Sequence, residues 1–243
     1  MRKLFVTKIQ NPLVIEGDDH KHLSLVLRNK IGDNIVVCCG DGYDYIYEIT
    51  AITKNNTILN QVSKTQNQSE PSISITLFYS VAKGDKNEII VRTVTELGVL
   101  KIQPFISAFT AVKSETYKLD RMRRVALEAS KQSGRGKLLE VLEPVSFDNI
   151  LDKLSEFDLV VFPYEGNCNI DIQSFLHEKL SNKKPIKNIA IIVGGEGGFS
   201  EAEVLSLSGR GIIPVTLGKR ILRADTACAT VCALVFYEGG QMR

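Results

Sequence analysis

The strongest constraint on the fold is a change of hydrophobic pattern on either side of residues 64–72. Before this segment, short strand-like runs follow one another with a single helical interruption. After it, short apolar runs alternate with helical patterns. The segment itself reads KTQNQSEPS, which is polar and lacks apolar periodicity, as linkers do. The 243 residues are therefore predicted to form two domains, 1–68 and 73–243.

The first domain is predicted to be a small β-barrel. Gly40-Asp41-Gly42 is a strong hairpin-turn signal. A short helix capped by Asp18 or Asp19 is predicted to run through Leu23 and Leu27. The predicted strands are 4–6, 13–15, 34–39, 43–49 and 57–62.

The second domain is predicted to be a mostly parallel α/β sheet with helices on both faces, because strand and helix patterns alternate. The predicted strands are 73–79, 102–106, 159–162, 189–193 and 212–217. The predicted helices are 87–97, 117–132, 171–180, 201–207 and 226–236. Ligands of such sheets bind at the carboxyl ends of the strands, so the segments after the strands are the place to look for a site.

Composition excludes several classes of protein. With 44% apolar and 24% charged residues, the chain is neither disordered nor fibrous. Five cysteines without a CxxC pair, and three histidines outside zinc spacing, predict neither a disulfide framework nor a metal site. The longest nearly apolar stretch, 227–237, is too short to span a bilayer, and no apolar run near the N-terminus has signal-peptide length. We expect a soluble, cytoplasmic protein without a membrane partner.

Positive charge is concentrated between residues 113 and 137. This stretch contains eight basic residues and only three acidic ones, Glu115, Asp120 and Glu128. The excess suits a phosphate backbone, although a solvated helix face would look the same. The basic residues are Lys113, Lys118, Arg121, Arg123, Arg124, Lys131, Arg135 and Lys137.

A glycine-rich loop follows the predicted strand 189–193. Residues 194–200 read GGEGGFS, and four glycines in five positions allow a tight turn and close approach to a ligand. Ser200 and Glu203 have the spacing of a capping box for the next helix. The loop is not GxGxxG, and Gly218-Lys219-Arg220 is not a Walker motif, because Ile213 stands where the first glycine is needed. A flexible turn without a ligand is the alternative.

Two further strand ends are candidate walls of a ligand site. Residues 217–227 read LGKRILRADTA and enter the last predicted helix with Asp225 or Thr226 as its cap. Their apolar side chains could line a pocket for a purine-like ring, or they form an ordinary strand-to-helix connection. Residues 162–166 read FPYEG and form either a third wall or a plain turn.

These segments together resemble the ribosomal RNA small subunit methyltransferase E family of the SPOUT superfamily. The blocks agree in order along nearly the whole chain. They are HLSLVLR at 22–28 with Gly32-Asp33, KGDK at 83–86 with TELGV at 95–99, EASKQSGR at 128–135, the loop 194–200 and the segment 217–227.

The resemblance implies an N-terminal PUA-like barrel that helps to bind RNA and a trefoil-knotted α/β domain that binds S-adenosylmethionine. It implies a homodimer that methylates N3 of a uridine in the 16S ribosomal RNA of the small subunit. The cofactor residues predicted on this basis are Phe162, Gly194, Gly195, Glu196, Gly198, Leu217, Gly218, Ile221, Leu222, Arg223 and Ala227. The predicted RNA-binding residues are Arg28, Arg121, Arg123, Arg124 and Arg135.

The catalytic prediction centres on Arg223, as a group that stabilises the uracil anion or positions phosphate; a structural ion pair is the alternative. Glu196 and Asp225 are candidates for accepting the N3 proton, or they are carboxylates near helix N-termini. The base is not assigned from sequence.

The chain departs from the family pattern at several positions. Gly195 replaces a proline, Ala224-Asp225 replaces Thr-Glu, and Leu139 replaces a proline before Glu140. An arginine usual after the serine at 107 is absent, and Ala108, Phe109 and Thr110 follow instead. Two other functions therefore stay open: a non-catalytic RNA-binding or ribosome-assembly protein with this fold, and a methyltransferase with a different RNA target.

Overall fold

The computed structural model describes residues 3–110, 116–166, 168–181 and 185–242, and the chain divides into two compact units. The first comprises Met1–Glu70 with Ser130–Leu138, and the second comprises Pro71–Ala129 with Leu139–Arg243. The contiguous division 1–68 and 73–243 stays a prediction, to which the observed grouping adds the segment Ser130–Leu138. No sequence signal marked that segment as part of the first unit.

The first unit is built on a five-stranded sheet in the order β1-β3-β4-β5-β2. The β1–β3 pair is parallel and the other neighbours are antiparallel. Alternate residues of β4, Tyr45, Tyr47 and Ile49, are buried in its core, as the period of a strand requires. The strands are β1 (Leu4–Phe5), β2 (Leu13–Glu16), β3 (Asn34–Cys38), β4 (Tyr43–Ile52) and β5 (Asn56–Gln66).

The short helix of this unit differs from the prediction. Helix α1 spans Gly17–Lys21 and continues into a π-helical turn, His22–Val26. Its N-cap is Glu16, the last residue of β2, and no side chain caps it. The helix begins as soon as the strand ends, so Asp18 and Asp19 lie in its first turn. The helix dipole stabilises carboxylates at that position.

The second unit contains a parallel sheet in the order β12-β10-β11-β6-β7-β8, with β9 also pairing with β7. Its strands are β6 (Ser74–Ser80), β7 (Lys101–Ile106), β8 (Glu140–Val141), β9 (Val145–Ser146), β10 (Leu159–Pro163), β11 (Asn188–Val193) and β12 (Pro214–Val215). Its helices are α2 (Lys86–Leu97), α3 (Leu119–Ser133, whose residues from Ser130 on are grouped with the first unit), α4 (Phe147–Leu151), α5 (Ile172–Leu180), α6 (Glu201–Ser208) and α7 (Ala224–Glu238).

Both faces of this sheet are covered, as the alternating pattern predicts. On β11, Ile189 and Ile191 join a core with α2, α5 and α7, whereas Ala190 and Ile192 join a core with α4 and α6. All four side chains are fully buried. A strand buried on both faces reads as a continuous apolar run, which is why β11 was recognisable from sequence.

Three details correct the sequence-based assignment. The strands β8 and β9, helix α4 and a 3₁₀ turn at Leu154–Glu156 were not predicted. Strand β12 has two residues rather than six. Helix α7 begins at Ala224 with Arg223 as its N-cap, so Asp225 and Thr226 are helical residues.

None of the helices in the described ranges has the length and apolar character that a bilayer crossing requires.

Candidate active site

The carboxyl ends of the parallel strands bring five segments to one edge of the sheet. These are 216–222 after β12, 163–165 after β10, 194–199 after β11, 80–86 at the end of β6 and 107–110 after β7. From β6 the chain adds β7 and then β8 on one side of the sheet. The later strands lie on the other side of β6, with β11 next to it, then β10, then β12. Ligands of open α/β sheets bind at such a reversal, which here lies beside β11 and its loop.

A cleft of about 620 Å³, open to solvent, lies at the ends of β12, β10 and β11. Seven of the predicted cofactor residues line it, namely Gly194, Gly195, Leu217, Gly218, Ile221, Leu222 and Ala227. Pro163, Tyr164, Glu165, Val193, Thr216, Lys219, Arg220 and Ala224 complete the lining. Ile221, 83% exposed, presents its side chain at the surface of the cleft rather than to the core.

Phe162 does not line the cleft, and this corrects the prediction. Its ring is fully buried, 5.1 Å from the Phe199 ring and nearly perpendicular to it. Phe162 lies inside β10 and joins the aromatic core on one face of the sheet, whereas the cleft is lined by Pro163, at the end of the strand, and by Tyr164 and Glu165 after it. The predicted third wall is therefore formed by the residues after Phe162.

The glycine loop turns tightly between Gly195 and Gly198. The amide of Gly198 donates to the carbonyl of Gly195 over 3.1 Å, which leaves Glu196 and Gly197 at the tip. Gly198 has a φ of 66°, and a Cβ there would collide with the Glu165 carboxylate. This position therefore needs glycine for its backbone conformation and for the close approach of a second wall of the cleft.

A carboxylate at the start of α6 holds two of the edge segments. Glu203 and Ser200 form the predicted capping box, with the Ser200 amide donating to Oε2 over 2.8 Å. The Ala108 amide donates to the other oxygen, Oε1, also over 2.8 Å. The segment after β7 is thus tied to the helix that follows the glycine loop.

Cations surround Glu196 at the tip of the loop. Lys86, in the first turn of α2, hydrogen-bonds and ion-pairs with this carboxylate. That contact lowers the pKa of Glu196, and Lys83 and Arg223 lower it further through their charges. Glu196 is consequently held ionised and is a weak proton acceptor. Among the described residues, Arg223 makes no ion pair within 4.0 Å. The alternative that Arg223 serves only as one half of a structural ion pair therefore gains no support.

Asp225 carries an unsatisfied acceptor in the first turn of α7. Its Oδ1 is buried and has no hydrogen-bond partner within the described ranges. Its neighbour Ala224 lines the cleft. Leaving a buried carboxylate oxygen unpaired costs free energy, which is typical of sites that bind a ligand.

The predicted RNA-binding residues fall into two groups. Arg28, Arg123 and Arg124 are exposed, as is Arg121, which pairs bidentately with Glu88. Arg135 is different, because its side chain is only 2% exposed and pairs with Glu70 over 2.9 Å in the first unit. A buried, paired guanidinium is not available to phosphate, which corrects the assignment of Arg135 to RNA. Lys113 and Glu115 of the basic run lie outside the described residues.

Sequence analysis assigned no role at this edge to Lys86 or Phe109. The rule that ligands lie beyond strand ends would have found Lys86, because the block KGDK follows β6. Phe109 follows β7 in the same way. Within the described residues, no three His, Cys, Asp or Glu side chains form a group suited to a metal ion.

Comparison with known proteins agrees with this geometry. Residues 68–236 match the model of an RNA methyltransferase domain, and residues 15–60 match that of an RNA methyltransferase PUA domain. The ribosomal RNA small subunit methyltransferase E of Bacillus subtilis (strain 168) is 30% identical over 233 residues, 94% of this chain and 91% of the relative.

Solved structures agree as well. A ribosomal RNA small subunit methyltransferase E from Neisseria gonorrhoeae, solved bound to S-adenosyl methionine, is 27% identical with a TM-score of 0.83, covering 98% of this chain and 97% of that one. A probable rRNA-methyltransferase from Porphyromonas gingivalis, 20% identical with a TM-score of 0.87 and full coverage of both chains, shares the fold.

The matches to an RNA methyltransferase domain and to its PUA domain, together with a glycine-lined cleft at the ends of three parallel strands, identify an RNA methyltransferase. Within that class, the chain belongs to the ribosomal RNA small subunit methyltransferase E family.

Proposed function

We propose that this protein transfers a methyl group from S-adenosylmethionine to N3 of a uridine in the 16S ribosomal RNA of the small subunit. The observation that carries the proposal is a cleft lined by the glycine loop and by the segment after β12, in a chain similar to a relative solved with this cofactor. The choice of uridine N3 as the methylated atom rests on the resemblance of the sequence to the family.

The residues of the cleft fit S-adenosylmethionine. Gly194, Gly195 and Gly218 expose backbone groups without side chains, which allows close contact with polar parts of the cofactor. Leu217, Ile221 and Leu222 offer an apolar surface for its flat purine ring, with the lining backbone beside them to hydrogen-bond its edge. When bound, the cofactor supplies an activated methyl group.

The protein's own task is to align the uracil nitrogen and to stabilise the charge it acquires. N3 carries a proton, and its loss leaves an anion on the ring. Arg223, Lys83 and Lys86 provide positive charge around the loop tip, in the place where such an anion would develop. The proton acceptor is left unassigned, because Lys86 already pairs with Glu196, and Asp225 Oδ1 is buried and Asp225 is not among the residues that line the cleft.

Methyl transfer from labelled S-adenosylmethionine to small ribosomal subunits lacking the modification tests the proposal. The RNA is digested after the reaction and its nucleosides are separated. Label in 3-methyluridine supports the proposal. Label in another nucleoside would favour a different RNA target, and no label on subunits or free RNA would favour the non-catalytic RNA-binding function.

We also propose that the protein acts as a homodimer with a trefoil knot in its second unit, since both belong to the family pattern. Sedimentation equilibrium tests the dimer, with an expected mass of twice that of the chain. A monomer at the concentrations used in the methylation assay would contradict it.

A further inference from the structure

Phe109 is an exposed aromatic residue at the edge that carries the candidate site. It follows β7, and its side chain is 55% exposed. Its Cβ lies 2.7 Å from the point where a Cβ of Gly197 would stand, so the tip of the glycine loop packs directly on it. Any side chain at 197 would displace Phe109, which shows that the two segments are fitted to each other.

Hydrogen bonds hold the turn that presents this ring. The Thr110 amide donates to the Ser107 carbonyl over 3.1 Å, and the Ser107 amide donates to Thr110 Oγ1 over 2.7 Å. Thr110 Oγ1 also lies 2.8 Å from the Ser80 hydroxyl at the end of β6. With the bond from the Ala108 amide to Glu203, each residue flanking Phe109 is tied down. A ring exposed on a braced turn is preorganised for contact.

The glycine loop lines the cofactor cleft at its start and contacts this ring at its tip. Gly194 and Gly195 line the cleft, Gly195 then approaches Ser80 at the end of β6, and Gly197 rests on Phe109 after β7. Phe109 is not among the cleft residues. The cations Lys83, Lys86 and Arg223 act on Glu196, at the tip of the same loop.

We propose that Phe109 stacks on the target uracil and holds it beside the glycine loop for methyl transfer. This inference rests on the proposed function. An aromatic face next to cations is the combination that binds an unpaired nucleotide, and a base must leave its stack to expose N3. The ring binds the face of the base while the cations stabilise its anion.

Steady-state methylation of small ribosomal subunits by Phe109→Ala and Phe109→Tyr tests the stacking role. We expect Phe109→Ala to raise KM for subunits roughly 10-fold, the order of effect of removing a stacking aromatic, and to leave KM for S-adenosylmethionine unchanged. Phe109→Tyr should restore the wild-type KM because it keeps the ring. An unchanged KM for subunits in Phe109→Ala, or a raised KM for the cofactor, overturns the proposal.

A fluorescent variant tests the contact independently of turnover. The chain contains no tryptophan, so Phe109→Trp would carry a single reporter. Its emission should fall when a single-stranded uridine-containing RNA is added at concentrations where filter binding detects the complex. The exposed Leu205→Trp on α6 is the matched control and should not respond. Unchanged Phe109→Trp emission in the bound complex overturns the stacking role.

The two proposals fail separately. If the wild-type protein does not methylate subunits, the proposed function fails, while RNA binding by the tryptophan variant still decides the contact. If the wild type methylates and Phe109→Ala equals it in both KM values, only the stacking role fails.

Discussion

Gly198 has a left-handed backbone, and a Cβ there would displace the carboxylate of the exposed Glu165 side chain. Gly198→Ala should weaken S-adenosylmethionine binding by roughly 10-fold, because about 1–2 kcal/mol of backbone strain would fall on the loop that lines the cleft. Calorimetric titration of the cofactor measures the change. Gly211→Ala is the matched control, because Gly211 also has a positive φ, 77°, but has no atom within 4 Å of its Cβ and lies outside the cleft. Equal cofactor affinities in the two variants would contradict the role of the Gly198 position.

Arg223 is an exposed cation next to the tip of the glycine loop. Arg223→Ala should lower kcat by about 10²-fold, the usual effect of removing one group that stabilises transition-state charge. Stability should change little, since the Arg223 side chain does not cap α7. Single-turnover methylation with saturating cofactor measures the loss.

Arg210→Ala provides the comparison for Arg223, because Arg210 is also exposed but lies just after α6, and its guanidinium donates to the nearby Ser206 carbonyl. Its kcat should match that of the wild type. A comparable loss in both variants would indicate a general effect of surface charge.

Individual residues show where sequence reasoning succeeds and where it fails. The positions of Gly194 and Gly218 at the cleft were predictable because both follow predicted strands of a parallel sheet, where ligands bind. Phe162 was misassigned because it stands at the end of the predicted strand 159–162, whereas β10 continues to Pro163 and Phe162 is buried in the aromatic core. The role of Arg135 was misassigned because charge clustering along the chain does not reveal a partner 65 positions away.

Among the elements, the segment after β5 is joined to the turn after α3 by a buried ion pair. Arg135 Nε and Nη2 donate to the two Glu70 oxygens over 2.9 and 3.1 Å. The amides of Gly136 and Lys137 donate to the same carboxylate over 2.8 and 3.0 Å. Burial raises the pKa of Glu70, but these bonds outweigh it and the net pKa is lowered.

Removing one partner of this pair should be costly. We expect Arg135→Met to lower the free energy of unfolding by about 3 kcal/mol, because it leaves a buried carboxylate without its countercharge. Urea denaturation at neutral pH measures the change. Lys101→Met is the control, since the Lys101–Glu140 pair is partly exposed on both sides and should contribute less than about 1 kcal/mol. A loss from Arg135→Met as small as that of the control would contradict the importance of the buried pair.

The same carboxylate should make stability pH-dependent. The folded pKa of Glu70 lies below its ordinary value of 4.5, so its contribution is fully present above pH 4.5 and is lost as pH falls through the folded pKa. Unfolding free energies measured between neutral pH and pH 3 should therefore fall more steeply in the wild type than in Glu70→Gln. Parallel curves would show that Glu70 does not titrate with folding.

Long elements were predictable and short ones were not. Strand β11 and helix α6 carry a continuous apolar run and a capping box, two signals that local chemistry imposes. Strands β8 and β9 have two residues each, too few for a period, and they exist because β7 offers them a partner. Helix α1 was displaced because Glu16 ends a strand and caps a helix at once.

At the scale of the whole molecule, RNA affinity should depend on exposed cations in both units. Arg28→Ala in the first unit and Arg124→Ala in the second should each weaken RNA binding and reduce the slope of log affinity against log salt by roughly 1. Filter binding to small-subunit ribosomal RNA at several salt concentrations measures the slope. Arg135→Met, checked to be folded, should leave the slope unchanged because Arg135 is buried. If Arg135→Met reduced the slope as much as Arg28→Ala or Arg124→Ala does, the distinction between exposed RNA-binding arginines and the buried Arg135 would be contradicted.

The grouping of Ser130–Leu138 with the N-terminal residues has an evolutionary consequence. Recombination after Glu70 would transfer the N-terminal sheet without Arg135, the residue that neutralises Glu70. The recipient chain would have to supply a matching segment from its own middle. Transfer of the N-terminal unit with its ion pair intact would therefore need both stretches, and in relatives of this chain we expect the two stretches to change together.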